Sequence, residues 1–143
     1  MKKSRWIAAI AVAGVAAAIM NVPRVIAIDR ETVARVQDIR EIIKSVALEE
    51  GVPEDRLLDI ACAESEIRQF EKPGKVLRGK VNPKDVGVFQ INEKFWLADA
   101  VKLKLNIYQA QGNVEMAAWI YKHYGDSPWN WSKKNWDRKK CEK

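Results

Sequence analysis

Between Pro53 and Asn92 the chain passes from a helix with a carboxyl on its apolar side, through a basic loop, into the octapeptide Asp85-Val86-Gly87-Val88-Phe89-Gln90-Ile91-Asn92. Residues 53–65 read as the helix. Pro53 fits its first position, where no N–H is needed, and Glu54 and Asp55 meet its positive end. At about 100° per residue, Glu64 falls within roughly 20–60° of Leu57, Ile60 and Ala61. Desolvation on that side drives a carboxyl towards its neutral form, the state a general acid needs near neutral pH. Glu64 is therefore a candidate proton donor. A frayed surface end, or a partnership with a buried arginine, would give the same spacing.

The chain of 143 residues has room for one domain once its N-terminus is set aside. Residues 1–5 carry three cations, residues 6–20 form an uncharged Ala/Val/Ile-rich run, and Val25-Ile26-Ala27 has a small-x-small pattern. This predicts an export leader over 1–27, cleaved near Ala27, and a folded domain over 28–143. An uncleaved membrane anchor is the alternative, but the apolar run falls short of the roughly 20 residues a span requires.

Without residues 1–27 the formal net charge falls from +6 to +2, because that segment holds four basic residues and no acid. A nucleic-acid partner, which calls for a basic face with stacking aromatics, is not expected. The remaining basic stretches, 72–84 and 133–140, read as solvated loop and tail, or as a source of attraction to an anionic envelope. Cys62 and Cys141 also remain. In an oxidising compartment a single disulfide is the default, against two reduced thiols. Cys62 lies about 160° round the helix from Glu64, so the bond would tie the tail to the back of that helix. The sole histidine, His123, has no neighbouring ligand cluster, and neither a metal nor a cofactor is expected.

Helical periodicity recurs elsewhere. Residues 31–50 place Val33, Val36, Ile39, Ile43 and Val46 at three- and four-residue spacing and stop at Gly51. After Asn92, Trp96, Ala100 and Leu103 share one side of a further helix. Asn113 reads as an N-cap, with Glu115 in the first turn and Val114, Ala117, Ala118 and Tyr121 forming the buried stripe. Between Glu66 and Lys84 the chain is broken by Pro73-Gly74, Gly79 and Pro83 and reads as a loop or an irregular hairpin.

Glu64-Ser65 followed by Gly87-Val88-Phe89-Gln90 resembles the lysozyme superfamily, in which a Glu-Ser at a helix end precedes a Gly-hydrophobic-hydrophobic-Gln motif. SLT-type lytic transglycosylases carry Gly-Leu-Met-Gln there. The c-type lysozymes carry Asp-Tyr-Gly-Ile-Leu-Gln-Ile-Asn, which residues 85–92 resemble closely. The likeness spans roughly residues 50–131. It implies a mainly α, α+β lysozyme-like fold: a helical domain with a small irregular loop or β wall beside a glycan cleft, with Val76-Leu77 and Lys80-Val81 as its expected strands.

The same resemblance implies an exported monomer, with no membrane span after leader cleavage, that cleaves the β-1,4 MurNAc–GlcNAc bond of peptidoglycan strands without a cofactor. In a lytic transglycosylase Glu64 acts as the single catalytic carboxyl. In a lysozyme-type hydrolase Asp85 joins it as the second. A non-catalytic wall-binding module of the same fold is a third reading. Gln90 and Asn92 are expected to line the cleft, and Ser65 to orient Glu64 or bond a sugar. Aromatic rings with a polar handle suit sugar faces, so Trp119, Tyr121 and Tyr124 are candidate glycan contacts; packing within a core helix is the other reading. In transglycosylases a tyrosine of an Ala-Tyr-Asn element covers the glutamate. Ala118-Trp119 and Ile120-Tyr121 compete for that place without the asparagine, and Tyr121 shares the buried stripe.

Overall fold

The computed structural model describes residues 39–142. The expected leader over 1–27, and Val33 and Val36 of the first helical stretch, lie outside the described residues. Helix α1 occupies residues 39–50, with Ile43, Val46 and Ala47 buried. Gly51 ends it at φ +67°, a conformation L residues rarely adopt. Helix α2 follows as Glu54–Ser65 and buries Leu57, Ile60, Ala61 and Cys62. Pro53 is its N-cap and not its first helical residue: with ψ at 115° it is still extended.

The expected strands are partly corrected. β1 (Phe70–Lys72) pairs antiparallel with β2 (Lys75–Val76) about Pro73-Gly74. Leu77 is drawn away from a second pairing with Lys80-Val81, because its N–H bonds Gln69 O and its carbonyl accepts Gly87 N–H, both at 2.9 Å. Arg78 bridges to Val86, while Lys80 and Val81 sit in a bend with Val81 fully exposed. β3 (Asp85–Val86) and β4 (Ile91–Asn92) form a second antiparallel pair with Asp85 opposite Asn92. The octapeptide is thus a tight hairpin.

Helix α3 (Glu93–Lys102) starts where Asn92 Oδ1 accepts the Lys94 N–H at 3.0 Å, a side-chain N-cap. Helix α4 (Ala110–Tyr124) begins three residues before Asn113, which is fully buried inside its first turns and caps nothing. Gly112 explains the earlier start. A Cβ at that position would collide with the Asn106 backbone, so close approach of the preceding loop overrides glycine's poor helix propensity. Val114, Ala117 and Ala118 are buried as the periodicity predicts, with Tyr121 at the edge.

Three short 3-10 turns, Ser127–Trp129, Lys133–Asn135 and Arg138–Cys141, bring the tail back across α2. There Cys141 is bonded to Cys62, with 6.0 Å between the Cα atoms. The described chain is mainly helical with two small sheets. None of its helices is long and apolar enough to cross a membrane.

Candidate active site

Glu64 stands half-buried in the last turn of α2. The helix stops just beyond it because Glu66 and Ile67 take left-handed φ values of 56° and 59°. Their N–H groups close back on Cys62 O at 3.0 Å and Ala61 O at 3.2 Å. A left-handed isoleucine is strained by about 1–3 kcal/mol. Full burial of the Ile67 side chain, worth about 1.5–3 kcal/mol, offsets that strain. Ser65 fixes the same helix end, its hydroxyl donating to Val88 O at 2.7 Å and accepting Arg68 N–H at 3.0 Å.

Two hollows, of about 1150 and 530 Å³, meet at Glu64, Val81, Asn82, Asp85, Gln90 and Trp131. Together they form one groove, with Glu64 where they meet. The larger part reaches Phe95, Trp96 and Asp99 of α3 and Tyr124 of α4. The smaller part is bordered by Arg68, Arg78 and Lys80 and, from the tail, by Ser132 and Asn135. Burial raises the Glu64 carboxyl above its ordinary value, the Ser132 hydroxyl, a donor available to the charged form, works against that, and the Asp85 charge adds to the rise. Position at the negative end of α2, with no basic residue in the last turn, also disfavours a charged carboxylate.

Asp85 is held from two sides. Its Oδ1 accepts Asn92 Nδ2 at 2.6 Å and Asn82 Nδ2 at 3.2 Å. The amide of Asn92 is therefore divided between Asp85 and the α3 cap, although the residue borders the groove. Gln90 borders both hollows, with φ at +49°, and its Nε2 donates to Gly87 O at 2.9 Å. Gly79 keeps this wall tight, because a Cβ there would run into Asn82 O and press on Gln90 Oε1 and Asp85 Cβ. Glu93 ties the wall to α3 by accepting Arg78 Nη2 at 3.1 Å and Tyr108 Oη at 2.9 Å.

The residues named from the sequence are thus unequally distributed. Glu64, Asp85, Gln90 and Asn92 come together in the groove, Ser65 borders its smaller part, and Tyr124 stands at its far end, 5.3 Å between ring centroids from Trp96. Trp119 and Tyr121 do not line the groove. Trp119 stacks on His123, with centroids 4.2 Å apart, and meets the edge of Trp96. The chain matches no family model, no curated protein and no solved structure.

Several residues with a part in the site were not legible as such. Trp131, 95% exposed, borders both hollows beside Glu64. The aromatic run from Trp119 to Trp131 hinted at it without separating it from the core tryptophan Trp129. Gln69 and Asn113 are fully enclosed amides that hold the octapeptide turn. Gln69 Oε1 accepts Val88 N–H at 3.1 Å and Asn113 Oδ1 accepts Phe89 N–H at 2.9 Å. Both amides lie against Gly87, where φ is +72° and a Cβ would collide with them. Ser132 carried no sequence signal at all. Among the described residues no group of three or more His, Cys, Asp and Glu side chains could hold a metal ion.

Proposed function

We propose that the chain is an exported peptidoglycan glycosidase of lysozyme-like fold, a lytic transglycosylase cleaving the β-1,4 MurNAc–GlcNAc bond with Glu64 as its proton donor. The observation that carries the proposal is a half-buried glutamate, kept towards its neutral form by burial, where two hollows meet in one groove. A polymer needs such a groove, and bond cleavage inside it needs a proton on the leaving oxygen. Glu64 gives its proton to the glycosidic oxygen as the C1–O bond breaks. The carboxylate left behind accepts the proton of the MurNAc 6-hydroxyl as that oxygen bonds to C1. The acid is regenerated, a 1,6-anhydro end is formed, and no water is consumed.

Asp85 supports a second reading, hydrolysis with two carboxyls, because it borders both hollows with Glu64 and is fixed there by Asn82 and Asn92. Mass spectrometry of the soluble products of purified peptidoglycan separates the two. Products one water lighter than hydrolysed muropeptides, absent with Glu64→Gln, are expected of the transglycosylase. Ordinary reducing ends that disappear with Asp85→Asn would establish the hydrolase. Undiminished digestion by Glu64→Gln would overturn both, and saturable wall binding without products from either protein would mark a binding module.

A further inference from the structure

The smaller hollow is bordered by a hydroxyl whose hydrogen bonds leave its proton free to move. Ser132 Oγ accepts the indole N–H of Trp136 at 2.9 Å, so one lone pair is engaged and its orientation is constrained. Its single proton goes to Trp129 O at 3.1 Å, long for an O–H donor, whose bonds cluster near 2.7–2.8 Å. That carbonyl already accepts the Ser132 backbone N–H at 3.1 Å, so withdrawing the hydroxyl orphans nothing. Glu64 lines the same hollow as Ser132, and the Ser132 hydroxyl, as a donor to the charged form, holds the Glu64 carboxyl down against the effect of burial.

The mounting on either side is stiff. Trp129 is buried, donates its indole N–H to Phe89 O at 2.9 Å and meets the Phe89 ring edge-on. Trp136 carries the Arg56 guanidinium of α2 at 5.3 Å from its ring centroid. The oxygen is therefore anchored to the catalytic helix on one side and to the octapeptide on the other, and rotation of its proton is the remaining freedom. We propose that Ser132 is a positioning residue for Glu64: its hydroxyl donates to Trp129 O while the glutamate is protonated and turns to the carboxylate once the proton has left.

The consequence for cleavage rests on the glycosidase reading, but the coupling between Ser132 and Glu64 does not. Other charged groups bordering the groove are Asp85 on β3, Glu66 and Arg68 after α2, Arg78 and Lys80 on the loop, and Asp99 on α3. Among these it is Asp85 that raises the Glu64 carboxyl. Ser132 is uncharged, so its loss removes a donor and leaves the local charge unchanged.

The test is a carbon-13 NMR titration of the Glu64 carboxyl in the disulfide-bonded protein, with Ser132→Ala, Ser132→Thr and Trp136→Phe. A hydrogen bond to a charged group is worth about one pH unit of titration midpoint or slightly more. Ser132→Ala is expected to move the midpoint up by about that much, Ser132→Thr to restore it, and Trp136→Phe to move it up by less. A midpoint unmoved in Ser132→Ala, or equally raised in Ser132→Thr, overturns the proposal. In peptidoglycan digestion the alkaline limb of the pH profile should shift upward with the midpoint while kcat falls and KM holds. If the wild type digests nothing and the midpoint still moves, the glycosidase reading falls and the Ser132–Glu64 coupling stands.

Discussion

A carboxyl that burial holds towards its neutral form acts against folding at neutral pH, and Glu64 should show this directly. Its folded-state pKa is raised by burial, opposed by Ser132 and reinforced by Asp85. Below the unfolded value, near 4.5, the carboxyl is protonated folded or unfolded and carries no ionisation penalty. As pH rises from there through the raised folded value, the unfolded chain releases the proton more readily, and stability is lost. Above that window the loss is complete. Glu64→Gln keeps the shape and removes the charge, so it should melt a few degrees above the wild type at pH 7 and together with it at pH 4. Equal melting temperatures at both values would mean that the carboxyl is not significantly desolvated.

At the scale of elements, the octapeptide hairpin presents Asp85, Gln90 and Asn92 to the groove while its turn is gripped from behind. Asn113 of α4 donates to Val86 O at 3.0 Å and Ile107 O at 2.8 Å and accepts Phe89 N–H. Truncating it to Ala orphans a buried N–H, at about 1–3 kcal/mol, and opens a cavity. We expect Asn113→Ala to lose about 2–4 kcal/mol in urea unfolding and to slow cleavage by loosening the turn that carries Asp85. Unchanged stability would show that water can replace the amide.

The helices and the Glu64–octapeptide relation were legible in the sequence because they rest on periodicity and on contiguous residues. Ile43, Val46, Leu57, Ile60, Val114 and Ala117 are all buried where their spacing puts them. The misreadings share one physical cause, contacts between residues distant in sequence. Asn113 looks like a cap because asparagine is a good one locally, yet its hydrogen bonds to Val86 O and from Phe89 N–H decide its place. Leu77 looks like a hairpin strand until Gln69 and Gly87 claim its backbone groups. Trp119 and Trp131 are alike as sequence, and packing against Trp96 of α3 takes up the first while the second is left at the groove.

For the whole molecule, the question is what the Cys62–Cys141 bond does for a groove whose second wall comes from the tail. The bond encloses a 79-residue separation. On the chain-entropy model, restricting the unfolded state over such a loop contributes about 4 kcal/mol. The tail has other anchors: Arg138 N–H donates to Asp59 Oδ1 at 3.1 Å, Arg40 donates to Cys141 O at 2.6 Å, and Trp129 reaches Phe89 O. These lie between the bond and the wall residues or beside them, and none of them is made by the sulfur atoms. The two effects separate in the Cys62→Ser, Cys141→Ser double variant. Its urea-unfolding free energy should fall by about 4 kcal/mol, and its melting temperature by roughly 15–25 °C for a domain of about 100 residues. Near-ultraviolet dichroism of the tryptophans and digestion at room temperature should stay close to wild type. If the variant instead remains folded while its tryptophan signal and digestion collapse, then the disulfide, and not the hydrogen-bonded anchors, holds the tail wall against α2.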